Sequence, residues 1–356
     1  MPISAVDVIA PAFQHTKRQL FQPFRLGQWT RLAIVGLLAG ELGSLGGFNS
    51  FNPSRQTPPW GPGFPRIDPA LLGTLITVLI VTGAVFMIVM AYISSVMRFI
   101  LFDSVLTREC HIRAGWTRRQ DNGWSYFLWQ LGLLLVTLGL AVIIIGLPAA
   151  FAFRLGWFNP PRAHLGQLII AGIVVFSVFA FFFLVVTLVH VLTKDFVVPQ
   201  MALEGISAIE GWRRLWPMIE GEFKGYAIYI GMKIVLSVAV SIVVGIVTLV
   251  LALIVAVPAV AVFFGVIVAG KAAGLTWNAF TITAAVVLAC ILFAIFLYLV
   301  SLVSVPVIVF FPAYSIYFFA ARYQPLSGAL YSAPAPSPVV APGNSPPFTP
   351  PPLPAV

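Results

Sequence analysis

The chain has 356 residues, 60% of them hydrophobic and 9% charged, with a mean hydropathy of +1.00. A soluble domain carries roughly a quarter of its residues as Asp, Glu, Lys and Arg, so this composition excludes an ordinary water-soluble globule. The formal charge of +9 would suit nucleic acid, but the placement of the bases argues for a membrane instead.

Several apolar runs reach the ~18 residues that mark a membrane-spanning helix. Hydrocarbon offers the backbone no hydrogen-bond partner, so such runs satisfy their own groups as helices. A spanning barrel needs apolar and polar residues in alternation, and Leu133 to Ile145 does not alternate. The expected fold is an all-α, polytopic helical membrane protein with six transmembrane helices.

In chain order, the first 24 residues form an amphipathic segment. Ile9, Phe13, Thr16, Leu20 and Phe24 follow helical spacing, with Lys17 and Arg18 on the polar side. The first apolar run then begins near Leu32, late for a cleaved signal, and reads as a retained span over 29–47. A loop rich in Pro, Gly and Asn over 48–69 reads as an irregular outer cap. Spans at 71–97 and 126–150 flank a second basic stretch with Arg118-Arg119 and Phe127, whose amphipathic character is less regular. A short outer loop with Pro160-Pro161 leads to a span at 167–192.

The third basic stretch is the most regular. Ile206, Ile209, Trp212, Trp216, Ile219 and Phe223 share one helical face, with Glu210, Arg213, Arg214 and Glu220 elsewhere, and Pro217 should bend it. From Tyr226 to Gly270 the chain is almost unbrokenly apolar, too long for one span of about 20 residues and short for two. The reading is a span over 226–256, then a re-entrant segment over 259–270 after Pro258; a further crossing would give seven spans. The last span is 279–311. The chain thus presents three repeats, each an interfacial amphipathic helix followed by a helical hairpin, over residues 1–323. From Pro325 to Val356, 11 of 32 residues are proline and none is charged. Such a segment offsets little ordering entropy, so residues 324–356 are expected to be a disordered linker-like tail. Pro347 and Pro350 give PxxP spacing, but no base flanks them to orient a groove partner.

Of the 20 Lys and Arg residues, 14 fall on one set of connecting segments, 5 on the other, and Lys233 lies within a span. Inner loops carry the basic excess, which places both termini in the cytoplasm and makes anionic phospholipid the expected counter-charge. Two readings of the pairs stay open. Lys17, Arg18, Arg118, Arg119, Arg213 and Arg214 contact lipid headgroups, or they only anchor the topology. Glu41 and Lys233 are the ionisable residues within spans, costly there and functional candidates by default. About 18 Å and 10 Å along their helices, they pair if those helices are neighbours; otherwise Lys233 snorkels inward and Glu41 sits in water. Gly36 and Gly40, Gly43 and Gly47, and the series Ser237, Ser241, Gly245 have the four-residue spacing of close helix approach.

His15, His111, His164 and His190 are scattered over separate segments, without metal-ligand spacing on one helix. Cys110 and Cys290 fall on an inner loop and inside a span, which argues against a structural disulfide. No nucleophile has a local base, and no glycine loop precedes a helix in phosphate-binding form. Neither a cofactor nor a resident metal is expected, and the protein reads as non-enzymatic.

Asp195-Phe-Val-Val-Pro-Gln-Met-Ala-Leu-Glu204, then Ser207, Glu210-Gly-Trp-Arg-Arg-Leu-Trp216 and Gly221-Glu-Phe223, resembles the inner-loop signature of the glycerophosphoryl diester phosphodiesterase membrane-domain family and related six-span bacterial proteins. Pro312-Ala-Tyr-Ser-Ile-Tyr317 to Arg322 is similar to the segment that ends those domains. An acidic residue usually stands there, where this chain has Phe318, Phe319, Ala320 and Ala321. The resemblance covers about residues 5–323 and implies the six-span fold. The hydrolase for which the family is named needs a barrel with paired His and metal-binding carboxylates, for which these 356 residues have no room. The functional expectation is a protein organising lipid or membrane-protein partners at the cytoplasmic leaflet, as a monomer or homo-oligomer. The alternative is a permease-like carrier lined by Glu41 and Lys233.

Overall fold

A computed structural model describes residues 4–41, 69–158, 164–272 and 279–331. Among them the chain forms ten α-helices and no strand: α1 Ile9–Phe21, α2 Leu26–Leu38, α3 Pro69–Thr107, α4 Ile112–Arg154, α5 Leu165–Leu192, α6 Val198–Glu204, α7 Ala208–Gly221, α8 Phe223–Ala272, α9 Ala279–Ala320 and α10 Gln324–Tyr331. A π-helical turn, Thr193–Val197, joins α5 to α6. Five segments are long and apolar enough to cross a membrane: Thr77–Thr107, Ile112–Arg154, Leu165–Glu204, Phe223–Val257 and Cys290–Ala320.

The burial pattern divides these helices into two zones. No residue from Leu131 to Phe151 of α4 or from Leu165 to Val191 of α5 is buried, and Val78 to Val81 of α3 and Val235 to Val243 of α8 are likewise exposed large apolar side chains or their neighbours. The α4 stretch alone is roughly 32 Å long at 1.5 Å per residue, close to the ~30 Å of bilayer hydrocarbon. Buried residues gather instead at one end, where α3, α5 and α9 finish and α4 and α8 begin. There α1 and α2 pack on α9, and the π-turn, α6 and α7 complete a compact hub. The core of the hub is aromatic. Phe196 lies between Tyr226, Tyr229, Phe318 and Phe319, with ring centroids 5.1 to 5.9 Å apart. Phe318 and Phe319 are therefore core residues.

Several sequence expectations are corrected. The first span, expected over 29–47, is a helix that ends at Leu38. Gly40 takes a left-handed φ of +76°; its N–H donates to Leu37 O at 3.2 Å and that of Glu41 to Gly36 O at 3.0 Å. This Schellman pairing closes the helix after 13 residues, about 20 Å; residues 42–47 lie outside the described ones. The second basic stretch is no separate interfacial helix. No proline interrupts the chain between Ile112 and Pro148, and it runs straight on into the span as α4. By contrast, Pro23 lies in the break between α1 and α2, and Glu222, in a non-helical turn, separates α7 from α8. The expected re-entrant segment 259–270 is part of α8, a single 50-residue helix; one proline costs one backbone hydrogen bond and need not end a helix with apolar residues on both sides. Gln324–Tyr331, expected within the tail, is helical and buries Leu326 against the hub, and residues 332–356 lie outside the described ones. Pro325 sits in its first turn, where a missing N–H costs nothing. The PxxP stretch and the outer cap 48–68 lie outside the described residues.

The glycine spacing also resolves. A Cβ on Gly36 would lie 2.6 Å from Ile308 methyls of α9, so the Gly36/Gly40 motif serves an internal contact and a helix end. Ser237 and Ser241 bond carbonyls of their own helix, and a Cβ on Gly245 would meet nothing within 4 Å.

Gly123 gives the sharpest packing test. A Cβ there would fall 2.5 Å from Val96 Cγ2 and 3.0 Å from the Val96 backbone Cα. Gly123→Ala is expected to destabilise the detergent-solubilised protein by about 1–3 kcal/mol, despite the ~1 kcal/mol gain in helix propensity. Gly132→Ala, with nothing within 4 Å, should be neutral or stabilising; equal unfolding midpoints for the two variants would refute this packing.

His15 docks α1. Its Nε2 lies 2.9 Å from Val105 O and its Nδ1 3.2 Å from the Tyr317 hydroxyl, so Nε2 carries the proton and Nδ1 accepts. Burial, with Arg108 and Arg18 nearby, holds its pKa below the ordinary 6.5. The unfolded chain therefore binds the proton first, and the stability this contributes is present above pH 6.5 and lost as pH falls through the lowered value. Unfolding midpoints of the parent should fall on acidification below pH 6.5, and His15→Gln should flatten that component of the profile.

Candidate functional site

The exposed apolar band meets the hub at a neck, and five charged side chains converge there. They arrive by four routes. Glu41 is delivered by the tight end of α2. Arg98 projects from α3, ten residues before its left-handed terminator Arg108. Lys194 and Asp195 are neighbours on the π-turn, whose widened geometry, often found at functional sites, lets adjacent residues serve opposite sides. Lys233 comes from α8, about 15 Å from its start.

Lys194 Nζ donates to Glu41 Oε2, tying the π-turn to α2. Lys233 Nζ donates to Asp195 Oδ2, tying it to α8, and the Tyr229 hydroxyl donates to the same oxygen at 3.0 Å. Arg98 reaches the Ala39 carbonyl at the end of α2 (2.9 Å) and the Tyr126 hydroxyl on α4 (3.0 Å). A guanidinium on the terminal carbonyls of a helix also complements its dipole. Glu41 and Asp195 are 5% and 3% exposed and Arg98 8%, so these three are almost fully withdrawn from solvent, while the Lys194 and Lys233 side chains keep 17% and 16% of their surface. Tyr229 stacks on Tyr314 with centroids 5.2 Å apart, flooring the cluster with the aromatic core.

The expected Glu41–Lys233 pair is thus corrected. The two belong to one cluster but do not pair; each has its own partner, and those partners are adjacent in sequence. Arg98, Lys194 and Asp195 escape a search for ionisable residues inside spans because each lies at the edge of its apolar run. A usable signal exists for Arg98: the apolar sequence resumes after it as Phe-Ile-Leu-Phe102, which a helix ending in headgroups does not need.

The basic pairs separate. Lys17, Arg18, Arg118 and Arg213 are exposed. Arg119, expected at headgroups, is buried and internal. Its Nε and terminal nitrogen donate to both Asp103 oxygens at 2.7 and 2.6 Å, and its other nitrogen donates to Ala202 O at 2.6 Å. It staples α3, α4 and the end of α6. Arg214 is exposed but engaged by Glu204 and Glu210. Arg322 makes a bidentate pair with Glu222 at 2.6 and 2.8 Å and covers the Phe318 ring. Glu204 also accepts from the Tyr323 hydroxyl. The acidic residues of the signature-like stretch are in this way consumed by internal pairs. Cys110 is buried, Cys290 exposed, and both are free thiols. Among the described residues no three His, Cys, Asp or Glu side chains converge on a metal-sized site.

Five apolar helices long enough to cross a bilayer, joined at a hub of buried ion pairs, define an all-α membrane protein. The chain belongs to a family of unknown function, DUF7544, which matches residues 3–327. Comparison with curated proteins and with solved structures finds no match.

Breaking the Lys194–Glu41 link should leave a buried carboxylate without its ammonium. Lys194→Met is expected to cost about 3 kcal/mol or more in denaturant unfolding, and adding Glu41→Leu should recover most of that. A double variant no more stable than the single one would show that the pair is not the unit that matters.

Proposed function

We propose that the protein is a non-enzymatic membrane component that organises anionic phospholipid at its cytoplasmic face, with the hub as the lipid-contacting end. The observation that carries this reading is the company the exposed bases keep. Lys17 and Arg18 share α1 with exposed Phe13 and Phe21, and Phe24 follows. Arg213 shares α7 with exposed Ile209 and Trp216, next to exposed Phe223. Arg118 precedes exposed Trp124 on α4. A folded hub has no internal reason to leave large aromatic side chains uncovered beside cations. A headgroup layer takes both, the rings at the acyl boundary and the bases at phosphates.

Two finer elements belong to the same proposal. Cytoplasmic termini follow from the basic excess on the hub-side segments. Descent from a three-repeat unit, and with it the likeness to the phosphodiesterase membrane-domain family, is supported by a basic stretch standing ahead of an apolar helical stretch at α1–α2, within α4 and at α7–α8. Less supports a carrier, since Glu41 and Lys233 are each held by a separate partner in the neck.

Each base near an anionic surface contributes ~1 kcal/mol, about fivefold in affinity. Lys17→Ala, Arg18→Ala and Arg213→Ala combined should weaken binding of fluorescent phosphatidylglycerol to the solubilised protein by roughly a hundredfold, and raised salt should weaken the parent similarly. The variant should keep its unfolding midpoint, because none of the three is buried. Unchanged lipid affinity in a folded variant would refute headgroup contact.

A further inference from the structure

The neck holds more positive than negative charge. Among the described residues, Arg98, Lys194 and Lys233 face Glu41 and Asp195; each lysine has its own carboxylate, which leaves Arg98, 8% exposed, as the positive charge in excess. An uncompensated buried charge is among the costliest features a protein can carry, and a guanidinium does not escape by losing its proton. Arg98 is moreover only partly used. Two of its nitrogens donate, to Tyr126 and Ala39, while buried Nε has no hydrogen-bond partner among the described residues. Beside it lies a cavity of about 30 Å³, lined by Glu41, Arg98, Lys194, Asp195 and Ser315 together with apolar side chains. That is room for one or two water-sized particles, too little for a phosphoryl group with its oxygens.

We propose that this cavity binds one monovalent anion of chloride size, held by Arg98 and Lys194 and completing the charge balance of the neck. The site is separate from headgroup binding at the exposed bases, and either can fail without the other. Its work is to neutralise the junction where α2, α3, α8, α9 and the π-turn meet, so that the ion becomes part of the hub.

The test uses the full chain, purified in detergent, melted in sodium chloride and in sodium gluconate at equal ionic strength. Chloride should raise the unfolding midpoint by roughly 5 °C at a hundredfold excess over its dissociation constant, and the rise should follow the logarithm of chloride concentration above that constant. Charge arithmetic sets the variants. Arg98→Gln brings three cations against two carboxylates down to two against two and should abolish the chloride effect. Glu41→Gln leaves three against one and should keep it. If Arg98→Gln does not fold, crystals of the parent grown in bromide decide: an anomalous peak in the cavity beside Arg98 supports the site. Equal melting in chloride and gluconate, or a cavity holding only water in bromide-grown crystals, overturns it.

Discussion

The neck of this protein depends on one constraint: ions placed where hydrocarbon begins must be answered by other ions. Glu41, Arg98, Lys194, Asp195 and Lys233 come from four separate segments of the chain, and none is tolerable alone at its observed burial. The π-turn makes the arrangement possible. It places an ammonium and a carboxylate on consecutive residues and turns them toward different helices, so α2 and α8 are tied through a single backbone element. Removing one charge from such a set strands its partner, and the geometry of every joined helix is fixed with it.

The rest of the architecture follows from where that junction lies. Below it the helices converge on aromatic packing around Phe196, with Arg119 and Arg322 as further internal staples. Above it the helices expose their apolar faces, as a hydrocarbon solvent allows. The molecule therefore concentrates its specific contacts in the hub and uses the spans as lipid-soluble supports. Its exposed chemistry is a set of bases and aromatic side chains on α1, α4 and α7, which is what the lipid-organising reading uses.

The class was legible because it depends on composition and run length alone. An all-α membrane chain and the general position of most long helices can be read from uninterrupted apolar stretches, since hydrocarbon leaves the backbone no other choice. Amphipathic spacing found α1 and α7 for the same kind of reason. Helix ends were less legible. Gly40 stops α2 through a local left-handed turn, whereas the proline at 258 does not stop α8, and the difference lies in whether the following residues have somewhere else to go.

Pairing lay beyond the sequence. Glu41 and Lys233 could be marked as costly, but their partners sit 153 and 38 residues away, and nothing local distinguishes Arg119, buried on Asp103, from Arg118 beside it in solvent. Tertiary packing decided which bases are structural and which remain at the surface, because burial depends on what the opposite helix presents. By itself the sequence determined that these helices form and that they belong in a membrane, since both follow from short-range backbone chemistry and the hydrophobic effect. Only the folded chain decided which charges meet, because Coulomb energy at low dielectric depends on distances that span the whole chain.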